Sequence, residues 1–180
     1  MARPRSSAQS RPRKTGRTAE APVVVQLALQ GGGSHGAFTW GVLDRAIQEP
    51  RLRIEGISGT SAGAMNAAVL ASGFASGGID GARQALEDFW RRVSFAALLS
   101  PYQRTPLDVL CGKWSLDDSP LFMALDMASR VFSPYDLNPG GFNPLSRILE
   151  DSIDFERLAV ARTRLFITAT NVRTGRGRVF

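Results

Sequence analysis

A serine set between glycines, Gly59-Thr60-Ser61-Ala62-Gly63, follows the short apolar run Arg53–Ser58 and precedes an alanine-rich stretch. A G-x-S-x-G step where a strand becomes a helix can hold its serine on a tight turn with the hydroxyl exposed, which suits attack on an ester carbonyl. That attack creates an oxyanion. Backbone N–H groups of a glycine-rich loop can stabilise it, because glycine reaches φ > 0 and leaves its amides unshielded. Such a loop, Gly31-Gly32-Gly33-Ser34-His35-Gly36, starts 28 residues upstream of Gly59. The helix after Ser61 would aim its N-terminal amides at the same place. Close packing of small residues explains either glycine cluster alone. Two such clusters, each between a strand and a helix, favour chemistry.

Gly31, Gly33 and Gly36 also satisfy G-x-G-x-x-G, and Glu55 falls about 20 residues on, where an acid could meet a ribose. A dinucleotide-binding module is therefore an alternative. It is weakened because Glu55 reads as lying inside a strand, and it leaves the second glycine cluster unexplained. The single histidine, His35, lies upstream of Ser61 and inside the glycine loop. A Ser, then acid, then His triad in chain order is thus excluded, and a carboxylate is the natural candidate for the base. Asp80-Gly81 is the only Asp-Gly pair and reads as a turn and helix cap. Asp117 and Asp118 fall in another turn, and Cys111 reads as a small buried apolar residue.

The elements needed to position these groups are legible. Val23–Gln30 is β-branched and apolar, as in a buried strand. Residues 37–48 place Phe38, Val42, Leu43 and Ile47 at helical spacing, with Pro50 as a stop. Arg53–Ser58 is a second strand, and Ala62–Ser72 is a helix with Gly73 as its expected end. Residues 82–93 form another helix, capped near Asp80. Loop signals dominate from 94 to 145, around short apolar pieces that could form a lid or acyl-chain wall. A helix resumes near Leu145, Arg164–Val172 is a strand, and a turn at 173–177 leads into a return strand at Arg178. Both glycine clusters then sit at the carboxyl edge of a parallel sheet, where open α/β folds bind ligands.

Composition sets outer limits. The 180 residues are 43% hydrophobic and 21% charged, with a net charge of +6. This suits one soluble globular domain. Residues 1–22 hold Arg3, Arg5, Arg11, Arg13, Lys14 and Arg17 against Glu20, so this tail carries five of the six net charges. It reads as a disordered basic leader, and a globally basic nucleic-acid surface is not indicated. No apolar run approaches the length of a membrane span. One cysteine permits no intramolecular disulfide and fits a reducing compartment. The expected setting is cytoplasmic, with peripheral contact at a membrane surface. No cofactor is indicated, and no ligand cluster has the spacing of a metal site.

The stretches "LALQGGGSHGAFTWGVLDRAI", "IEGISGTSAGAMNAA" and the "FITATNV" that precedes Thr174-Gly175 resemble the start of a patatin-like phospholipase domain. The resemblance covers residues 23–180. It implies an α/β fold of three layers, a mainly parallel central sheet flanked by helices. It implies hydrolysis of lipid acyl esters by a Ser–Asp dyad, with Ser61 as nucleophile and Gly31, Gly32 and Gly33 as oxyanion hole. Ser34, His35, Gly36, Gly59 and Gly63 would support the two motifs. The partner would be a lipid or membrane-surface substrate met transiently. The sequence departs from the family's pattern at two points. His35 stands where many members carry Arg or Lys, and the family's catalytic Asp-Gly lies well beyond the "TATNV" strand. The expectation is therefore a domain incomplete at its C-terminus. The general base would not be present in this chain, the edge after residue 172 would be unpaired, and the chain alone would be inactive. A non-catalytic, lipid-binding fragment is the remaining alternative.

Overall fold

The computed structural model describes residues 21–98, 110–112, 123–124, 127–128, 140–141 and 143–180. The basic tail up to residue 20, Asp117 and Asp118, and most of the apolar loop region expected to form a lid lie outside the described residues.

Four strands form one sheet in the order β1 (Val23–Leu29), β2 (Leu52–Thr60), β3 (Arg164–Thr170), β4 (Gly177–Val179). β1, β2 and β3 run parallel, and β4 returns antiparallel to β3. The outer edge of β3, expected to be unpaired, is covered by β4, and Ile167 and Phe180 exchange backbone hydrogen bonds of 3.0 and 2.9 Å. Period-two alternation sends Leu27, Leu29, Leu165 and Ile167 to the packed face. Ile57 in the central strand is wholly buried. The β1–β2 register shifts between Val25 and Gln26, which leaves Glu55 as the extra residue of a bulge.

The helices whose bounds fall within the described residues are α1 (Gly36–Ala46), α2 (Ala62–Leu98), α3 (Pro144–Ser152) and α4 (Phe155–Ala159). The β1–α1–β2 and β2–α2 successions place helices between parallel strands, the α/β arrangement read from the sequence. α2 is the centre of the core. Its first leg buries Ala67, Val69 and Leu70, and its second buries Ala82, Leu86, Phe89 and Trp90, at spacings of three and four residues. Fully burying a Val, Leu or Phe side chain is worth about 1.5–3 kcal/mol, so this helix dominates the apolar stabilisation of the domain.

Gly73 does not end the helix as expected. The break falls four residues later, at Gly77 (φ −153°, ψ 23°) and Gly78 (φ 61°, ψ −143°), and the chain folds back on itself there. Gly73 instead lies at the crossing of the two legs, where an added Cβ would come within 2.6 Å of Ala82 Cα and 2.7 Å of Gly81 O. Its glycine serves close packing. α3 starts on Pro144 with Asn143 Oδ1 accepting from Ser146 N at 3.2 Å. α4, absent from the sequence reading, is capped by Asp154, whose own N–H donates to Ser72 Oγ at 3.0 Å and ties α4 to α2. No helix among the described residues is long and apolar enough to cross a membrane.

Candidate active site

β2 ends at Thr60 and α2 begins at Ala62, so Ser61 alone makes the turn between them. Its φ is +50°, the one positive value at a non-glycine residue among those described. A side chain in this left-handed region is strained by about 1–3 kcal/mol, and it persists where the surroundings over-determine it. Here they do. A Cβ at Gly59 would lie 2.6 Å from Gly63 C, and one at Gly63 would lie 2.2 Å from Leu29 O. Both flanking glycines let the helix start press against the ends of β1 and β2. The serine side chain is left exposed, and among the described residues its hydroxyl makes no hydrogen bond.

The glycine loop leaves β1 beside this turn. A Cβ at Gly31 would meet Ser61 Cβ and Thr60 O, both at 3.1 Å. Gly32 and Gly33 follow at φ 150° and 57°, and Gly33–His35 is a short 3-10 helix that runs into α1, where the sequence suggested a plain loop. Nothing lies within 4 Å of a Cβ placed on Gly33, so its glycine is required by conformation and not by crowding. The loop is closed from within. His35 N donates to Gly32 O at 3.1 Å, and His35 Nδ1 donates to the same oxygen at 3.0 Å. Gly32, Gly33, Ser34 and His35 are exposed at the carboxyl edge of the sheet, and among the described residues the N–H groups of Gly32, Gly33 and Ser34 make no hydrogen bond.

Behind the loop lies a polar chain that sequence reasoning missed. Asn66 Nδ2 donates to Gly36 O at 2.9 Å, and Trp90 Nε1 donates to Asn66 Oδ1 at 2.8 Å. Asn66 is wholly inaccessible to solvent. The available signal was one amide among apolar residues, Met65-Asn66-Ala67-Ala68-Val69, five positions after the serine. Further along α1, Arg83 Nε donates to Asp44 Oδ1 at 2.8 Å and links α1 to the second leg of α2.

The other candidates do not converge on Ser61. Asp80 begins the second leg of α2, just past the Gly77–Gly78 break. The first leg is about 20 Å long, so Asp80 stands at the opposite end of the domain from the serine. Gly81 is pressed to within 2.6 Å of Gly73 O by its notional Cβ, so the Asp-Gly pair belongs to the helix crossing. Glu55 lies mid-strand, ion-paired with Arg53, remote from the strand end where a ribose-binding acid would sit. Cys111, expected to be buried, is exposed. No group of three or more metal-binding side chains occurs among the described residues. A cavity of about 500 Å³ lies at the amino ends of β2 and β3, lined in part by Leu52, Ile54, Phe74, Val160 and Arg162. It shares no residue with the serine turn or the glycine loop, and the open edge around Ser61 is where a carbonyl could meet hydroxyl and amides together.

Comparison with known proteins bears on this arrangement. The family model for patatin-like phospholipase matches residues 27–179. None of the curated proteins compared matches the chain. Among solved structures, the chain is similar to one from the heterodimeric complex ExoU–SpcU of the Pseudomonas aeruginosa type III secretion system, at 22% identity and a TM-score of 0.38. That similarity covers 88% of this chain and 32% of the other, so the chain spans about a third of that relative's length. With the family model matching most of its length, the chain belongs to the patatin-like phospholipase family.

Proposed function

We propose that this chain acts as a lipid acyl hydrolase, with Ser61 as the nucleophile and the amides of Gly31, Gly32 and Gly33 as the oxyanion hole. The observation that carries the reading is the strained, exposed Ser61 at φ +50° with Gly31 packed against it. In this mechanism Ser61 Oγ attacks the acyl carbonyl and its proton passes to a base. The carbonyl oxygen takes the negative charge, and the loop amides and the first amides of α2 stabilise it. Collapse of the tetrahedral species, with the base returning the proton to the leaving oxygen, expels the alcohol, here a lysolipid or glyceryl group, and leaves an acyl-Ser61 ester. Water, activated by the same base, then releases the fatty acid. The substrate is a lipid acyl ester met at a membrane surface.

The base of the proposed pair is an aspartate. His35 is already hydrogen-bonded to Gly32 O and makes no bond to Ser61. Asp80 is too far away. His35 therefore shapes the loop, and Ser34 and Gly36 complete it.

A fluorophosphonate probe tests the assignment. The expected result, read by intact mass and peptide mapping, is one adduct on Ser61 that disappears in Ser61→Ala. His35→Ala is expected to slow labelling far less than Ser61→Ala, because the imidazole acts on loop shape and not on the serine proton. Labelling that survives Ser61→Ala would overturn the nucleophile assignment.

A further inference from the structure

We infer that Asn66 and Trp90 are positioning residues that set the oxyanion loop at a fixed distance from the serine turn. The inference rests on the Ser61 reading above for its catalytic consequence, and on geometry alone for its structural one.

The loop Gly31–Gly36 is held to the rest of the domain at its two ends, and its middle is braced only by its own His35 bonds. Its first end is set by Gly31, whose notional Cβ touches Ser61 Cβ and Thr60 O at 3.1 Å. Its second end is set by Gly36, where a Cβ would meet Ala62 Cβ and the Trp90 ring at 2.8 Å. Both ends therefore rest on residues adjoining Ser61 or on the helix that Ser61 starts. Steric contact at Gly36 stops the loop from moving inward. The bond from Asn66 Nδ2 to Gly36 O, made from the second turn of the same helix, resists movement outward. Serine and loop thus share one frame.

Trp90 decides which way the Asn66 amide faces. An asparagine side chain can present either its oxygen or its NH₂ to Gly36 O, and presenting the oxygen would set two acceptors against each other. Indole Nε1–H is a donor only. By donating to Asn66 Oδ1 it leaves Nδ2 facing the carbonyl. All three groups are buried, so an unmade bond here has no water to replace it. Trp90 belongs to the second leg of α2, so the helical hairpin folded at Gly77 and Gly78 reaches the loop through this side chain.

The test compares Asn66→Leu, which is of similar size and removes the donor to Gly36 O, and Trp90→Phe, which keeps an aromatic ring but frees the amide to turn. Ile153→Ala, a buried residue just after α3, serves as a destabilised control. Hydrogen exchange by mass spectrometry reads the loop directly. In both site variants the peptide over residues 30–40 is expected to exchange about tenfold faster than in the wild type, the loss of one buried hydrogen bond. In the Ile153→Ala control it is expected to keep its ratio to the rest of the chain. The rate of fluorophosphonate labelling at Ser61 is expected to fall about tenfold to a hundredfold in the two variants, with no change in half-saturating probe concentration. Unchanged exchange over 30–40 in both variants overturns the inference whatever the labelling does. Faster exchange with an unchanged labelling rate overturns the catalytic half. Failure of Ser61 labelling in the wild type is instead a failure of the functional reading, and leaves the exchange result to decide the positioning.

Discussion

The two glycine turns at the carboxyl edge of the sheet look alike in sequence and are held by different physics. Around Ser61 the glycines are where contact is closest. Gly59 and Gly63 stand where a Cβ would fall within 2.6 and 2.2 Å of backbone atoms, and the strained residue is the serine itself. In the Gly31–Gly36 loop the crowding is confined to the ends. Gly33 in the middle has open space and needs only its backbone freedom. One turn is rigid because it is packed, and the other because its ends and its internal His35 bonds leave it little room. In the proposed roles, a nucleophile needs the first kind of support. A set of amides that must stay uncovered needs the second.

That difference is open to attack by substitution. The largest effect is expected at Gly63→Ala, which drives a methyl group into Leu29 O and forces α2 off the end of β1. A loss of about 4 kcal/mol or outright failure to fold follows, read by thermal or urea unfolding. A fully folded Gly63→Ala variant of wild-type stability would break the claim that the serine turn is packed. Gly33→Ala meets no neighbour, so its cost is conformational alone, about 1–2 kcal/mol. Gly33→Asn should recover about half of that, because asparagine tolerates the left-handed region better. Equal losses for alanine and asparagine would show that crowding, and not φ, governs the loop. The smallest shift has the opposite sign. Ser61→Gly relieves the strain at φ +50° and is expected to stabilise the fold by about 1 kcal/mol, or about 3 °C in Tm, after allowing for the added freedom of the unfolded chain. Ser61→Ala keeps the strain and should leave Tm near the wild type. If Ser61→Gly is no more stable than Ser61→Ala, the turn carries no stored strain.

Much of the site was legible because its signals are local. Small residues flank the serine, β-branched runs precede both glycine clusters, and helical spacing follows them. What escaped was set by distant partners. Gly73 reads as a helix end because a glycine after an apolar periodic run often is one, yet the chain continues through it. The crossing with Gly81 and Ala82 requires a residue without a side chain there, and two consecutive glycines at 77 and 78 break the helix more effectively than one. Asp80-Gly81, read from the sequence as a turn and helix cap, lies at the start of the second leg, away from Ser61.

By itself the sequence determined the order of strands and helices around the two turns, the left-handed freedom of the loop, and the family, since each depends on residue type and short-range spacing. The tertiary structure alone decided that Ser61 adopts a positive φ, that the Gly31 loop lies against it, and that Asn66 faces Gly36 under the direction of Trp90. These contacts join residues 24 to 30 positions apart. Hydrogen bonds and van der Waals contact act over a few ångströms in space and leave no periodic trace along the chain, so they become visible only when β1, β2 and both legs of α2 are packed together.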